Sequence, residues 1–151
     1  MTVGHVRGAV RAYRRQCLEQ VLPLEERVGW DGIDELKASV LGWTTMMHPD
    51  LVFYHHRLLG SRDAGRAARW RAQGSASHYM GYRFSYLLFR SLHHARRDPA
   101  ALAMISSYLA ATVRREPQYR DQVVRDYLRR RQSLRHLRTR AREARGRAGS
   151  A

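Results

Sequence analysis

The sequence predicts a mainly α-helical protein with a small β portion, and three observations support this prediction. Apolar residues recur at helical spacing, most clearly at Ile33, Leu36 and Val40. Short β-prone runs occur only within residues 3–54. The chain has 151 residues, of which 44% are apolar, which suits one domain with its own core.

The N-terminal region is expected to form a strand or hairpin arm and then a short helix. The apolar residues of segment 3–13 follow no single spacing and are separated by arginines, which suits the strand or hairpin arm. Residues 14–21 place Cys17, Leu18 and Val21 on one helical face. Pro23 is expected to end this helix because proline has no backbone N–H to donate.

The clearest predicted helix begins near Trp30. Asp31 stands where an N-cap residue belongs, and the acidic Asp34 follows three residues later. Gly42 stands where a C-cap glycine would end the helix.

The predicted β portion continues after this helix. Residues 44–47 and 51–54 are short β-prone runs on either side of a turn at residues 48–50. Two glycines and two polar residues predict a loop over 58–65.

The rest of the chain is helical in composition. Gly74 and Ser75 are expected to interrupt the pattern, Asp98 and Pro99 to begin a helix, and Pro117 to break one. The predicted helices cover residues 67–73, 79–97, 98–115 and 121–142.

The charge of the chain favours anionic partners. The net charge is +15, from 27 arginines and the single lysine Lys37 against 13 acidic residues. Such a field attracts nucleic acid, phosphorylated small molecules or anionic lipid headgroups without choosing among them. The single cysteine, Cys17, excludes an internal disulfide framework and a multi-cysteine zinc site. The longest apolar run, residues 100–113, is shorter than the roughly 20 residues of a spanning helix.

Acidic residues at the start of the predicted helix are candidate catalytic groups. Asp31, Asp34 and Glu35 lie in its first two turns, where a carboxylate facing a cleft could act as a general base. The structural alternative is that Asp31 caps the helix, that the other two favour the positive end of its dipole, and that Lys37 pairs with them.

Histidines around the second β-prone run are candidate ligands. Because alternate side chains of a strand point to opposite faces, His55 and His56 cannot both face one pocket. One of them could ligate a divalent metal or hold a phosphate, and the alternative is that both pack or face solvent.

Two later segments favour binding to a polyanion. Residues 114–147 contain 13 arginines, which suits phosphate contacts, a membrane-surface helix or a solvated helix face. Residues 79–89 combine aromatic side chains with Arg83, which suits either an interfacial helix on anionic lipid or a buried packing face.

The order of these motifs resembles the acceptor-side half of a bacterial family 2 glycosyltransferase of the GT-A type. In that family an acidic motif opens a helix, a Gly-aromatic pair closes it, and a later strand ends in histidine. The resemblance covers roughly residues 6–132. The matching residues are Gly8-Ala9, Tyr13-Arg14-Arg15, Gly29 to Ala38, Gly42-Trp43, Pro49-Asp50-Leu51 and His55-His56-Arg57.

The resemblance implies transfer of a sugar, with inversion, from a nucleotide-sugar donor to a glycan or lipid-linked acceptor, with a divalent metal (Mg or Mn) as cofactor. It makes Asp31 the first candidate for the catalytic base, Asp34 the second and Glu35 the third. It places His55 as a ligand of the metal near the donor diphosphate, and Arg57 where it would stabilise phosphate charge.

The sequence departs from the family in two ways. Trp30 stands where the family has a glutamate before the base, and no Asp-x-Asp metal motif of the donor-binding half occurs. The resemblance therefore implies an incomplete C-terminal part of the α/β catalytic domain, inactive on its own. It divides the chain into an acceptor-side remnant (1–65), a helical region at a membrane surface (66–144) and a disordered tail (145–151).

A second hypothesis comes from the charge alone. It is a small basic module that binds nucleic acid or an anionic membrane, with nucleic acid the less favoured partner. Both hypotheses predict a cytoplasmic protein, and the first places it peripherally at the inner face of the cell membrane.

Overall fold

A computed structural model describes residues 11–27, 29–46, 48 and 65–133, with only the backbone of Trp30. Within these ranges the chain forms six α-helices and one 3₁₀ helix. They are α1 (Arg15–Val21), α2 (Trp30–Val40), α3 (Arg66–Tyr79), α4 (Phe84–Ala95), the 3₁₀ helix Pro99–Leu102, α5 (Ala103–Val113) and α6 (Gln122–Arg131).

The predicted β portion is wrong wherever the structure describes it. Residues 11–14 and 43–46 are irregular, and the described ranges contain helices and no strand. A strand is stable only when a neighbour accepts its backbone hydrogen bonds, and neither segment has one in these ranges. The described residues are therefore all-helical, and the predicted fold class, a mainly α part of an α/β domain with a small β portion, is wrong. The remaining β-prone residues, 3–10 and 51–54, lie outside the described ranges.

Helix α2 begins at Trp30 as predicted, but its N-cap lies two residues before the predicted one, Asp31. Gly29, with a left-handed φ of 96°, is the N-cap, so Asp31 lies in the first turn and does not cap the helix. Its charge still lies near the positive end of the helix dipole. The predicted C-cap is confirmed, because Gly42 has a φ of 86° and the Trp43 N–H donates to the Ala38 carbonyl at 2.9 Å.

The predicted break at Gly74 is also wrong, because α3 continues through it. A Cβ built on Gly74 would lie 2.0 Å from Ser107 Oγ and 2.3 Å from the Met104 carbonyl oxygen. Helices α3 and α5 therefore cross so closely that only glycine fits. The real interruption comes later, at Gly81, whose left-handed φ of 76° separates α3 from α4.

Asp98 and Pro99 begin a helix as predicted. The Asp98 carboxylate accepts from the Ala100 N–H, and Pro99 occupies the first turn of the 3₁₀ helix that leads into α5. Helices α4 and α5 form a hairpin around this turn, in which Ser91 Oγ donates to the Ala101 carbonyl at 2.8 Å.

Helix α6 is fixed to the turn between α3 and α4. Asp121 caps it by accepting from two backbone N–H groups. At its other end, Arg129 Nε donates to the Gly81 carbonyl at 2.9 Å, and the side-chain oxygen of Gln132 accepts from the Arg83 N–H at 2.9 Å.

Three groups of buried side chains form the core. One joins α2 to α6, another joins α3, α4 and α5, and a small one joins α1 to α2. The first includes Ile33 and Leu36 together with Val124 and Leu128, so residues on both sides of position 65 share it. No helix in the described ranges is long and apolar enough to cross a membrane.

Candidate functional site

Asp34 lies in a buried ion pair. Its side chain is 2% exposed, and Arg11 Nη1 lies 2.6 Å and 2.8 Å from its two oxygens. The Tyr13 hydroxyl donates to the same carboxylate. Burial and this hydrogen bond raise the pKa of Tyr13. Because both oxygens are held in the protein interior, this arrangement explains how the segment before α1 is held against α2.

The other two acidic candidates lie closer to solvent. Asp31 and Glu35 are each partly exposed on α2. A carboxylate oxygen of Glu35 lies 3.7 Å from Arg11 Nη2, so Glu35 belongs to the same charged cluster as Asp34. The structure places the three candidates on one helix, and their catalytic role stays a prediction.

The predicted metal and diphosphate residues, His55 and Arg57, lie outside the described residues. His48 is described and is exposed. Over the ranges that the structure covers, no group of three or more histidine, cysteine, aspartate or glutamate side chains could hold a metal ion. The cofactor assignment therefore stays a prediction.

Lys37 does not pair with the acidic residues of α2. Its ammonium donates to the Val21 carbonyl at the end of α1. A cation at this place satisfies a carbonyl that has no partner within its own helix. Lys37 thus helps to join α1 to α2.

Helix α5 presents an apolar stripe to solvent. Its inner face is buried at Met104, Tyr108 and Ala111. Leu102, Leu109 and Val113 occupy the opposite face and are 46%, 44% and 82% exposed. A row of exposed apolar side chains on a helix whose other face is already buried is typical of a contact surface. This α5 stripe is therefore a candidate contact surface.

Helix α4 has a similar stripe. Leu87 and Ser91 face the core, whereas Phe89 and Leu92 point outward and are 58% and 49% exposed. The solvent side of α4 therefore carries large apolar side chains, one of them aromatic, as well as charged ones. We call Phe89 and Leu92 the α4 stripe.

The arginines at the ends of the α4–α5 hairpin are exposed to solvent, whereas other arginines form hydrogen bonds that stabilise the fold. Arg96 and Arg97 follow α4, and Arg114 and Arg115 follow α5; all four are exposed. Among the described residues the guanidinium groups of these four make no hydrogen bond or ion pair, so their charges remain available to an external anion. By contrast, Arg83 Nε donates to the Arg129 carbonyl at 2.9 Å.

The sequence predicted a membrane-surface region over 66–144 and an interfacial segment at 79–89, but it did not identify which side chains are exposed. Phe89 lies in the predicted interfacial segment, and Leu92 lies just beyond it. Residues 100–113 are mostly apolar, so periodicity could not distinguish the exposed face of α5 from the buried one.

Comparisons of the chain with protein-family models, with curated proteins and with solved structures found no match.

Proposed function

We propose that the protein is a small helical module that binds the surface of an anionic membrane through the α4–α5 hairpin. The observation that carries the proposal is the α5 stripe, an exposed apolar row on a helix that ends at Arg114 and Arg115. Helices that lie in a membrane interface combine apolar side chains with arginines that attract anionic headgroups.

Two energy terms favour a lipid surface as the partner. Burying an exposed Leu, Val or Phe side chain contributes about 1.5–3 kcal/mol. Each arginine close to an anionic bilayer contributes about 1 kcal/mol. Nucleic acid would satisfy the arginines but would leave the aliphatic side chains of the α5 stripe without a partner, since stacking on bases requires aromatic rings.

Co-sedimentation with lipid vesicles tests this proposal. The protein is expected to bind vesicles of phosphatidylcholine mixed with phosphatidylglycerol, to bind pure phosphatidylcholine weakly, and to be released by salt. Replacing both Leu109 and Val113 with serine is expected to weaken binding by roughly tenfold or more, because the apolar contribution is lost.

A matched control is the exchange of Val123→Ser on α6. Val123 is 62% exposed but lies outside both stripes, so this variant should bind as the parent does. Replacing Arg114 and Arg115 with glutamine should weaken binding only to the anionic vesicles. If the stripe variants bind the vesicles unchanged, or if the protein binds a DNA duplex with no dependence on the stripes while ignoring vesicles, the proposal is wrong.

The glycosyltransferase hypothesis stays a prediction. Its first candidate base, Asp31, is accessible on α2, but its metal-binding residue lies outside the described ranges.

A further inference from the structure

A groove of about 320 Å³ lies at the C-terminal end of α3. It is formed by the last turns of α3, by the segment before α2 and by the segment after α5. This volume is at the lower end of the range of about 300–1,000 Å³ that is usual for small-molecule sites. Its polar lining residues are Glu26, Arg27, Ser75, His78, Tyr79 and Glu116.

His78 is the most deeply placed polar group of the groove. Its side chain is 5% exposed, and its ring meets the edge of Tyr108 at 5.4 Å between centroids. Within the described ranges it makes no hydrogen bond. Its ring nitrogens are therefore left to water or to a ligand in the groove.

His78 is an acceptor at neutral pH. Burial lowers the pKa of its imidazole, and the nearby Glu116 carboxylate offsets only part of this effect. A neutral imidazole carries one nitrogen that accepts a hydrogen bond and one N–H that donates. The groove therefore offers an uncharged acceptor at its base.

Two carboxylates at the groove are without cationic partners. The side chains of Glu26 and Glu116 make no hydrogen bond or ion pair among the described residues, although the chain has 28 basic and 13 acidic side chains. In such a chain an acidic residue finds a basic neighbour easily. Both carboxylates line one groove and reach solvent, so they can accept a cation from outside.

The aromatic wall of the groove already stabilises a cation. The Arg27 guanidinium lies 4.4 Å from the centre of the Tyr79 ring, and the Tyr79 hydroxyl donates to Glu25 at 2.8 Å. Attraction between a cation and the face of an aromatic ring adds to the effect of the carboxylates.

We propose that this groove binds a small ligand that carries a primary ammonium group. An ammonium has three N–H donors and no acceptor, which matches two carboxylates and one neutral imidazole. Its aliphatic part would lie along Ala72, Ala76 and Pro117, which complete the lining. A carboxylate or phosphate ligand would meet Glu26 and Glu116 as like charges. The proposal does not depend on membrane binding, because the groove contains no residue of either stripe.

An NMR titration of the full chain with n-butylamine tests the proposal. The ring resonances of His78 are expected to shift and saturate with n-butylamine at neutral pH, and not with n-butanol or butyrate. Those of His93, which is exposed on α4, should stay unchanged. If n-butanol gives the same saturation, the site recognises alkyl chains and the proposal is wrong. If butyrate binds in place of the amine, Arg27 makes this an anion site and the proposal is equally wrong.

A pH titration of the same resonances gives a second readout. The charge of bound n-butylamine should lower the apparent pKa of His78 further. The charged and titratable groups that face His78 are Glu26 and Arg27 before α2, Glu116 after α5, Tyr108 on α5 and Tyr79 on its own helix. An unchanged apparent pKa at saturating amine would place the ligand away from His78.

Charge-removing variants separate binding from folding. Replacing Glu26 and Glu116 with glutamine is expected to weaken n-butylamine binding by about tenfold or more, because two charge-assisted hydrogen bonds are lost. Both side chains are at least partly exposed, so the fold should persist. The matched control is Glu19→Gln on α1, which removes one negative charge at a site away from the groove. Equal effects of the variant and the control would overturn the proposal.

Discussion

The indole nitrogen of Trp70 lies 2.8 Å from a carboxylate oxygen of Asp98. The other oxygen of Asp98 accepts from the Ala100 N–H at 3.1 Å. One carboxylate therefore begins the 3₁₀ helix and also ties the α4–α5 hairpin to α3. The hydrogen bond from Trp70 lowers the pKa of Asp98.

The exchange Trp70→Phe should lower the melting temperature at neutral pH and make it fall less on acidification. A carboxyl group whose pKa is lowered in the folded state stabilises the protein above its unfolded pKa of 3.8, and this stabilisation is lost as the pH falls through the folded value. Without the indole donor this dependence should become smaller. Thermal unfolding monitored by circular dichroism between neutral and acidic pH measures both effects.

The control for this variant is Trp43→Phe. The Trp43 indole also donates, at 2.8 Å, but its partner is the exposed Gln20, which carries no charge. Its loss should leave the acid dependence unchanged. Equal acid dependence in the two variants would show that the Trp70–Asp98 contact does not set it.

The exchange Gly74→Ala should destabilise the fold by about 3 kcal/mol, the upper part of the range for overpacked cores. The new Cβ would overlap the Met104 carbonyl oxygen, which cannot move unless α5 moves. Urea unfolding measures the change. The control is Gly65→Ala, where an added Cβ meets nothing within 4 Å and stability should change little.

Removing the Asp34 carboxylate should lower the free energy of unfolding by about 3–5 kcal/mol, because it leaves Arg11 charged and buried without its main partner. The variant Asp34→Ala measured by urea unfolding gives this value. The double variant Arg11→Met with Asp34→Leu should be more stable than Asp34→Ala alone. If the double variant is instead the less stable, the ion pair is a net source of stability.

Stability should fall as the pH drops below about 6.5, the ordinary histidine value. Burial lowers the pKa of His78, and burial together with Arg90, His93 and Arg97 lowers that of His94. Both imidazoles are therefore protonated more readily in the unfolded chain, which gains protons first as the pH decreases. Unfolding by urea across this range should show the decline.

The variant His94→Asn should make that decline shallower, because it removes one of the two groups. The exposed His93 serves as the control, and His93→Asn should increase stability slightly at low pH by relieving repulsion on His94. An unchanged slope in His94→Asn would mean that His94 does not contribute.

Local signals in the sequence predicted the helix boundaries that depend on one residue. Pro23, Gly42 and Asp98 act through their own backbone or side chain, and each ends or begins a helix as predicted. Gly74 was misinterpreted because its role lies in the contact with α5, thirty positions away. The local sequence around Gly74 does not indicate a contact with a helix so distant in the chain.

In the candidate sites, too, the sequence predicted features that depend on nearby residues and did not predict contacts between distant ones. The acidic residues of α2 were found from the sequence, but the partner of Asp34 is Arg11, and no spacing rule joins those positions. The groove beside His78 combines residues from three segments. Glu116, a lone acidic residue beside two arginines, gives no local signal of its place there.

The contact between Lys37 and the Val21 carbonyl has a practical consequence for labelling. Lys37 is the only lysine in the sequence, so an amine-acylating reagent has a single lysine side chain to modify. Its side-chain nitrogen must leave the Val21 carbonyl before it can attack the reagent. The rate of acylation at Lys37, read by mass spectrometry, thus reports how often this contact between α1 and α2 opens in the native protein.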